Sequence, residues 1–222
     1  MTMSKLSADD LIYGYMNGIF PMADSDTTLY WYSPEPRAII PIDTYRSPKS
    51  LRPLLNKNHF EVRVNTDFEG VMRGCAELRK SEDGTWISEE IIDAYTKLHL
   101  MGFAHSVETY LNNRLVGGLY GVGIGAAFFG ESMFHRVSDA SKVAFHYLIE
   151  ILRHQGFELL DTQFINDNVR RFGAIEISKS DYLRRLRNAV EKRARFTEKA
   201  IEHILYNHRN FSYKDRNDYS KA

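Results

Sequence analysis

Apolar positions along the chain recur in short runs whose period shifts between helical and extended spacing. Leu11, Ile12, Tyr15 and Ile19 follow Ser7-Ala8-Asp9-Asp10 at helical intervals, which predicts a capped helix reaching Gly18, with Pro21 ending the segment. Trp31-Tyr32-Ser33-Pro34-Glu35-Pro36-Arg37 has no period and two prolines, so it reads as a connector carrying function. Ser47-Pro48 sets a capping residue before a proline suited to a first helical turn and predicts a helix over 49–55. Phe60 to Val64 alternates as a strand does, and 67–78 returns to helical spacing. Ser88 with Glu89 and Glu90 opens a further helix, whose Ile91, Ile92, Tyr95 and Leu98 form one stripe ending near Gly102.

From His105 the pattern is extended. Residues 105–111 and 114–122 are strand-like runs joined at Asn112-Asn113, a pair tolerant of the positive φ that a tight hairpin needs, and 126–129 supplies a third strand. Asp139 is placed to cap a helix through Val143, Leu148, Ile149 and Leu152, with Gly156 beyond its end, and 157–163 returns as a strand. This order predicts an α/β (α+β) fold, a mixed sheet with flanking helices in which one helix makes the crossover, as in an acyltransferase-like core. Over 180–205, Leu183, Leu186, Val190, Ile201 and Leu205 lie against a dense basic face, as in an amphipathic helix, and the tail after Tyr206 reads as disordered. The expected divisions fall at 1–36, at 37–186, and at a basic C-terminal helix and tail over 187–222.

Composition narrows the classes. A chain of 222 residues, 43% hydrophobic, can bury one principal core. The lone Cys75 excludes an internal disulfide framework and a thiol zinc cluster, which points to a reducing, cytoplasmic setting. No run approaches the ~18 apolar residues of a membrane span. The formal net charge is zero, yet 37–80 holds nine basic and five acidic groups and 170–222 holds fourteen and seven. Such local clusters, with Lys49, Arg52 and Lys57 in the first, suit a phosphate backbone; solvated helix faces are the alternative.

Three polar residues stand out as candidate chemistry. Asp161 and Gln163 are two apart on a strand and are expected to share a face, where they either orient a substrate or satisfy neighbouring backbone. Glu131 lies between Phe128-Phe129-Gly130 and Ser132-Met133-Phe134, and a carboxylate so embedded either finds donors or has its pKa raised, in a catalytic or a structural role. The glycines from Gly117 to Gly125 lack the Lys-Ser/Thr of a phosphate loop and read as packing positions. The eight histidines have no metal-ligand spacing, and Ser106 and Ser132 lie outside a nucleophile elbow, so neither a metal nor a cofactor is expected.

Taken in order, Gly18-Ile19-Phe20-Pro21, Trp31 to Arg37, Gly84-Thr85-Trp86-Ile87, Ala104 to Glu108, Leu115 to Val122, Phe129-Gly130-Glu131-Ser132-Met133-Phe134, Asp139-Ala140-Ser141-Lys142 and Asp161-Thr162-Gln163 carry a resemblance. The chain resembles the leucyl/phenylalanyl-tRNA–protein transferase family from about residue 11 to residue 186. The resemblance implies an acetyltransferase-like (GNAT-like) fold with 1–36 as a small N-terminal lobe and 37–186 as the catalytic domain. It implies transfer of Leu or Phe, less readily Met, from aminoacyl-tRNA to proteins beginning with Arg or Lys, marking them for degradation, without ATP; a monomer is expected. It implies that Gln163 holds the incoming amine, Asp161 positions Gln163, and Glu131 meets the cationic terminal residue or the ester end. Leu119, Phe128, Met133, Phe145 and Leu160 are the implied aminoacyl pocket, and Phe145 implies a tight one that favours Leu. Trp86 matches an aromatic beside the terminal adenosine. Met22 stands where the family reads Trp, with Trp31 as the expected replacement, and Thr162 replaces Cys.

Two other readings compete. An acyl-CoA-dependent N-acetyltransferase would use Asp161 or Glu131 as base, but Val137-Ser138-Asp139-Ala140-Ser141 lacks the glycines of a pyrophosphate cradle. A non-catalytic tRNA-binding module would rest on the two basic segments alone.

Overall fold

A computed structural model describes residues 6–23, 28–80 and 87–210. Helix α1 (Ala8–Met16) starts at Ser7, whose side chain accepts from the Asp10 N–H while Asp10 answers on the Ser7 N–H, a reciprocal capping box. The chain then forms a hairpin of its own, β1 (Phe20–Ala23) with β2 (Leu29–Tyr32), in which Pro21 pairs with Trp31. The prolines that follow separate β2 from β3 (Arg37–Ile40), and the stretch read as a connector supplies the ends of two strands. All four residues of β3 are buried, which leaves no period-two signal in the sequence.

The segment after Ser47 opens as a 3₁₀ turn, Lys49–Leu51, with Pro48 extended ahead of it. It becomes α-helical only in α2 (Arg52–Asn56), where Pro53 takes the early-turn place expected of Pro48. Next come β4 (Glu61–Val64), α3 (Phe68–Lys80), α4 (Glu89–Leu100), β5 (Ala104–Leu111), β6 (Arg114–Ile124) and β7 (Ala127–His135). Ser88 caps α4 by accepting from the Ile91 N–H, and the expected stripe Ile91, Ile92, Tyr95 and Leu98 is buried. Asn112 and Asn113 turn the β5–β6 hairpin with φ of 52° and 58°. Strand β7 runs on past Phe129, where the sequence pattern stops, because a bulge at Glu131 breaks the alternation.

Helix α5 (Ala140–His154) crosses over to β8 (Leu159–Gln163), followed by α6 (Asp167–Arg171), β9 (Ile175–Ile177), α7 (Lys179–Val190) and α8 (Lys199–Asn210). Asp139 does not cap α5: it sits at φ 66° with no side-chain cap bond, and its carboxylate accepts from Lys142 instead. The single C-terminal helix of the sequence reading is two, α7 and α8, and the tail from 211 onward lies outside the described residues.

Seven strands form one mixed sheet in the order β4-β5-β6-β7-β8-β3-β9. All pairs are antiparallel except β7–β8, which α5 makes parallel. Apolar residues of α5, α8 and the 49–56 segment form a cluster on one face. Those of α1, α3, α4 and α7 form another on the opposite face. This is the mixed sheet with flanking helices, and with α5 as a crossover, expected from the order of elements. Among the described residues no helix is long and apolar enough to cross a membrane.

Candidate active site

The two parallel strands part company. Pairing of β7 with β8 runs from Ala127↔Leu159 to Phe129↔Asp161, after which β7 stays with β6 as far as His135 while β8 ends against β3. Each strand is irregular where they diverge. Gly130 pairs with Gly121 and Ser132 with Tyr120, so Glu131 is the extra residue of a bulge. Ile39 pairs with Asp161 and Ala38 with Gln163, so Thr162 is the extra residue on β8, and Gln163 takes φ +66°. Bulges re-aim side chains, and here they bring two together: Gln163 Nε2 donates to Glu131 Oε1 at 2.8 Å across the opening. A crevice beyond the carboxyl ends of parallel strands is the usual ligand position in open sheets.

Glu131 receives further donors from the opposite cluster. The Tyr15 hydroxyl of α1 donates to Oε1 at 2.7 Å, and the Tyr95 hydroxyl of α4, hydrogen-bonded to that of Tyr15, lies 3.5 Å from Oε2. Burial pushes the Glu131 carboxyl up to about 7, with Asp161 adding repulsion, against the opposing pull of the Tyr15 hydroxyl and Arg37. Burial and the Glu131 charge hold both tyrosines well above their usual range, so they remain donors. A carboxyl titrating near neutrality, hydrogen-bonded to a primary amide, can exchange a proton with a bound amine.

Beneath this pair lies an ion pair. Arg37 opens β3 and meets Asp161 of β8 through Nε–Oδ1 at 2.9 Å and Nη2–Oδ2 at 2.6 Å, with side chains 1% and 0% exposed. Tyr182 of α7 donates to Asp161 Oδ2 at 2.7 Å, and Arg37 Nη1 donates to the Gly18 carbonyl at 3.1 Å. Burial opposes the Arg37 charge, but Asp161 outweighs it and the guanidinium is held above its usual value. Asp161 also accepts the backbone N–H of Gln163 at 2.8 Å, so its hold on Gln163 is through the main chain that fixes the left-handed turn. Thr162 turns elsewhere, its hydroxyl donating to the Ala38 carbonyl at 3.3 Å.

The five apolar residues singled out in sequence come together on the α5 side: Leu119, Phe128, Phe145 and Leu160 are buried in one cluster, with Met133 packed against it. Phe145 stacks on Phe172 at 4.0 Å and meets the edge of Tyr45 at 5.7 Å. Lys49, Arg52 and Lys57 lie on or just beyond the segment that packs through Leu51 and Leu55 into the same cluster. Trp31 is in β2, its ring over Gly14 of α1 so closely that a Cβ there would lie 2.2 Å away. Trp86 lies outside the described residues. Among the described residues no group of His, Cys, Asp or Glu is arranged to hold a metal ion.

Arg37, Tyr15, Tyr95 and Tyr182 were not picked out in sequence. Arg37 had one signal, a cation opening the apolar run Ala38-Ile39-Ile40, which must find a carboxylate if buried. The tyrosines had none beyond ordinary helix stripes.

Residues 39–187 match the family model described as leucyl/phenylalanyl-tRNA protein transferase, and residues 4–35 match that of its N-terminal domain. The chain belongs to this family. A leucyl/phenylalanyl-tRNA–protein transferase of Paramagnetospirillum magneticum is 48% identical over 200 residues, covering 89% of this chain and 96% of the relative. One from Chlorobaculum parvum is 48% identical over 192 residues, covering 86% and 99%. Among solved structures, L-PGS from Bacillus licheniformis is 11% identical with a TM-score of 0.46, covering 79% of this chain and 67% of that one.

Proposed function

We propose that this chain transfers an aminoacyl group, Leu or Phe and less readily Met, from aminoacyl-tRNA to the α-amine of proteins beginning with Arg or Lys, marking them for degradation. The observation that carries the reading is the Gln163–Glu131 bridge across the opening between β7 and β8. The aminoacyl side chain enters the α5-side cluster at Leu119, Phe128, Met133, Phe145 and Leu160, which brings its ester to the bridge. The acceptor amine replaces one partner in the bridge, is held by the Gln163 amide oxygen, and gives its proton to Glu131. Its nitrogen attacks the ester carbonyl; the peptide C–N bond forms as the C–O bond to the ribose breaks, and the ribose oxygen leaves with a proton. The ester is already activated, so the site has to supply position and proton transfer alone.

Arg37, Asp161 and ionised Glu131 sum to one negative charge, which favours a cationic acceptor. Asp161 is a positioning residue that sets the Gln163 turn. The basic segments, with Lys49, Arg52 and Lys57 in one of them, guide the tRNA. Residues 1–36 act as a small lobe that delivers Tyr15 to Glu131, 37–186 as the catalytic domain and 187–222 as a basic appendage, in a cytoplasmic monomer. The test incubates purified protein with labelled Leu-tRNA or Phe-tRNA and peptides beginning with Arg, Lys or Ala. Label on the Arg and Lys peptides is expected; equal label on the Ala peptide overturns the acceptor rule, and none on any peptide overturns the function.

A further inference from the structure

The chain beyond α7 folds back over the α5 side of the sheet. The match to the family model ends at residue 187, so this stretch lies outside it. It is tied down along its length. The Ala126 N–H donates to the Ala189 carbonyl at 2.8 Å, and Lys192 pairs with Glu158 at 2.5 Å. The Gln155 side chain donates to Thr197 Oγ1 at 2.6 Å and accepts from the Thr197 N–H at 3.0 Å. Ala200, Ile201 and Ile204 of α8 then bury into the cluster that holds Leu119, Phe128, Phe145 and Leu160.

Between these anchors Phe196 turns inward. Its ring, 7% exposed, stacks on His105 at 4.6 Å and lies 5.4 Å from Phe128 and 6.3 Å from Phe157. Burial holds the His105 imidazole down to about 4, with His99 adding repulsion, so that ring offers Phe196 a neutral face. Phe128 lies three residues before Glu131 on β7, and its partner Leu160 lies three before Gln163 on β8. At ~3.3 Å per residue that is roughly 10 Å from the Gln163–Glu131 bridge, so the Phe128 ring closes the proposed aminoacyl pocket at its deep end. His105 is near the start of β5, and Phe157 just precedes β8, so Phe196 packs where the strands begin, behind Phe128 as seen from the bridge.

Interiors are packed to the density of organic crystals, so a ring backed by both Phe157 and Phe196 has no room to retreat unless one of them shrinks. We infer that Phe196 sets the depth of the aminoacyl pocket by holding Phe128 forward, and with it the balance between Leu and Phe as the group transferred. Phe196 is a positioning residue, acting through Phe128. The inference rests on the aminoacyl-transfer reading.

The test measures transfer kinetics with Leu-tRNA and Phe-tRNA for wild type, Phe196→Leu, Phe128→Leu and the double variant. Ile201→Val serves as a control that thins the same cluster from α8. Phe196→Leu is expected to raise the kcat/KM ratio of Phe-tRNA to Leu-tRNA roughly three- to tenfold, chiefly through KM. Phe196→Met, nearer in volume, should move the ratio the same way by less. Ile201→Val should lower Tm, as Phe196→Leu does, and leave the ratio where it is. In the Phe128→Leu background the second substitution should add nothing to the ratio, because its route is already removed. A ratio unmoved by both Phe196 variants, an equal shift in Ile201→Val, or a full additional shift on top of Phe128→Leu would each overturn the inference. Wild-type protein that transfers from neither tRNA defeats the underlying reading instead, so the two failures are distinguishable.

Discussion

Replacing Glu131 with Gln should make the protein less active and, above neutral pH, more stable. The carboxyl titrates at about 7 in the folded chain against an ordinary value of 4.5, mainly because it is buried. The folded state therefore binds the proton more tightly than the unfolded one between those two values. The contribution of this carboxyl to stability is greatest below pH 4.5, falls as pH rises through the window, and stays low above 7. At about 1.4 kcal/mol per pH unit the full penalty is about 3 kcal/mol. An amide at this position would keep an oxygen for the Tyr15 and Gln163 donors and never ionise, so the variant escapes the penalty.

Thermal unfolding of the two proteins at pH 8 and pH 5 is the assay. For a chain of this size, about 3 kcal/mol corresponds to a rise of roughly 6–12 °C in Tm at pH 8. At pH 5 the gain should shrink below about 1 kcal/mol, because little of the wild-type carboxyl is ionised in the folded state. Transfer should fall in parallel, and the limb of the kcat/KM profile with apparent pKa near 7 should vanish, leaving the acceptor amine's own titration near ~8. A variant no more stable at pH 8, or equally stabilised at both pH values, would refute the claim that Glu131 is an enclosed carboxylate held for proton transfer.

Four further substitutions test the surrounding structure. Arg37→Ala leaves Asp161 buried without its counter-ion and should cost about 3–5 kcal/mol, measured by urea unfolding. Gln163→Gly removes a side chain from a positive-φ position and should stabilise by about 1 kcal/mol in the same measurement while transfer collapses. Phe145→Leu frees a volume now fixed between Phe172 and Tyr45, so the kcat/KM ratio of Phe-tRNA to Leu-tRNA should rise roughly tenfold. Gly14→Ala places a methyl 2.2 Å from the Trp31 ring and should lower stability by about 1–3 kcal/mol, read as a drop in Tm.

What the sequence disclosed and what it withheld divide along one physical line. Elements with one solvated face announced themselves: the α4 stripe, the Asn112-Asn113 hairpin and the β4 alternation all stand where the pattern sets them. Strand β3 did not, because a strand covered on both faces has no alternation, and its neighbours Pro34 and Pro36 carry the signature of a loop. The far half of β7 was lost for a related reason, since the bulge at Glu131 shifts the phase of the pattern in mid-strand.

The same two irregularities build the site. A regular β7 would continue its pairing with β8, and no gap would open between Gly130 and Thr162. The bulges on β7 and β8 end that pairing, turn Glu131 and Gln163 toward each other, and leave β3 to take up the far side of β8 with Arg37 against Asp161. Each step breaks a local rule, and each is held by partners distant in sequence: Tyr15 is 116 residues from Glu131 and Arg37 is 124 from Asp161. A motif can therefore name Glu131, Asp161 and Gln163. Arg37 of β3 left one trace, a cation heading an apolar run, whereas Tyr15, Tyr95 and Tyr182 come from α1, α4 and α7, and only the packing of those helices on one face of the sheet reveals them.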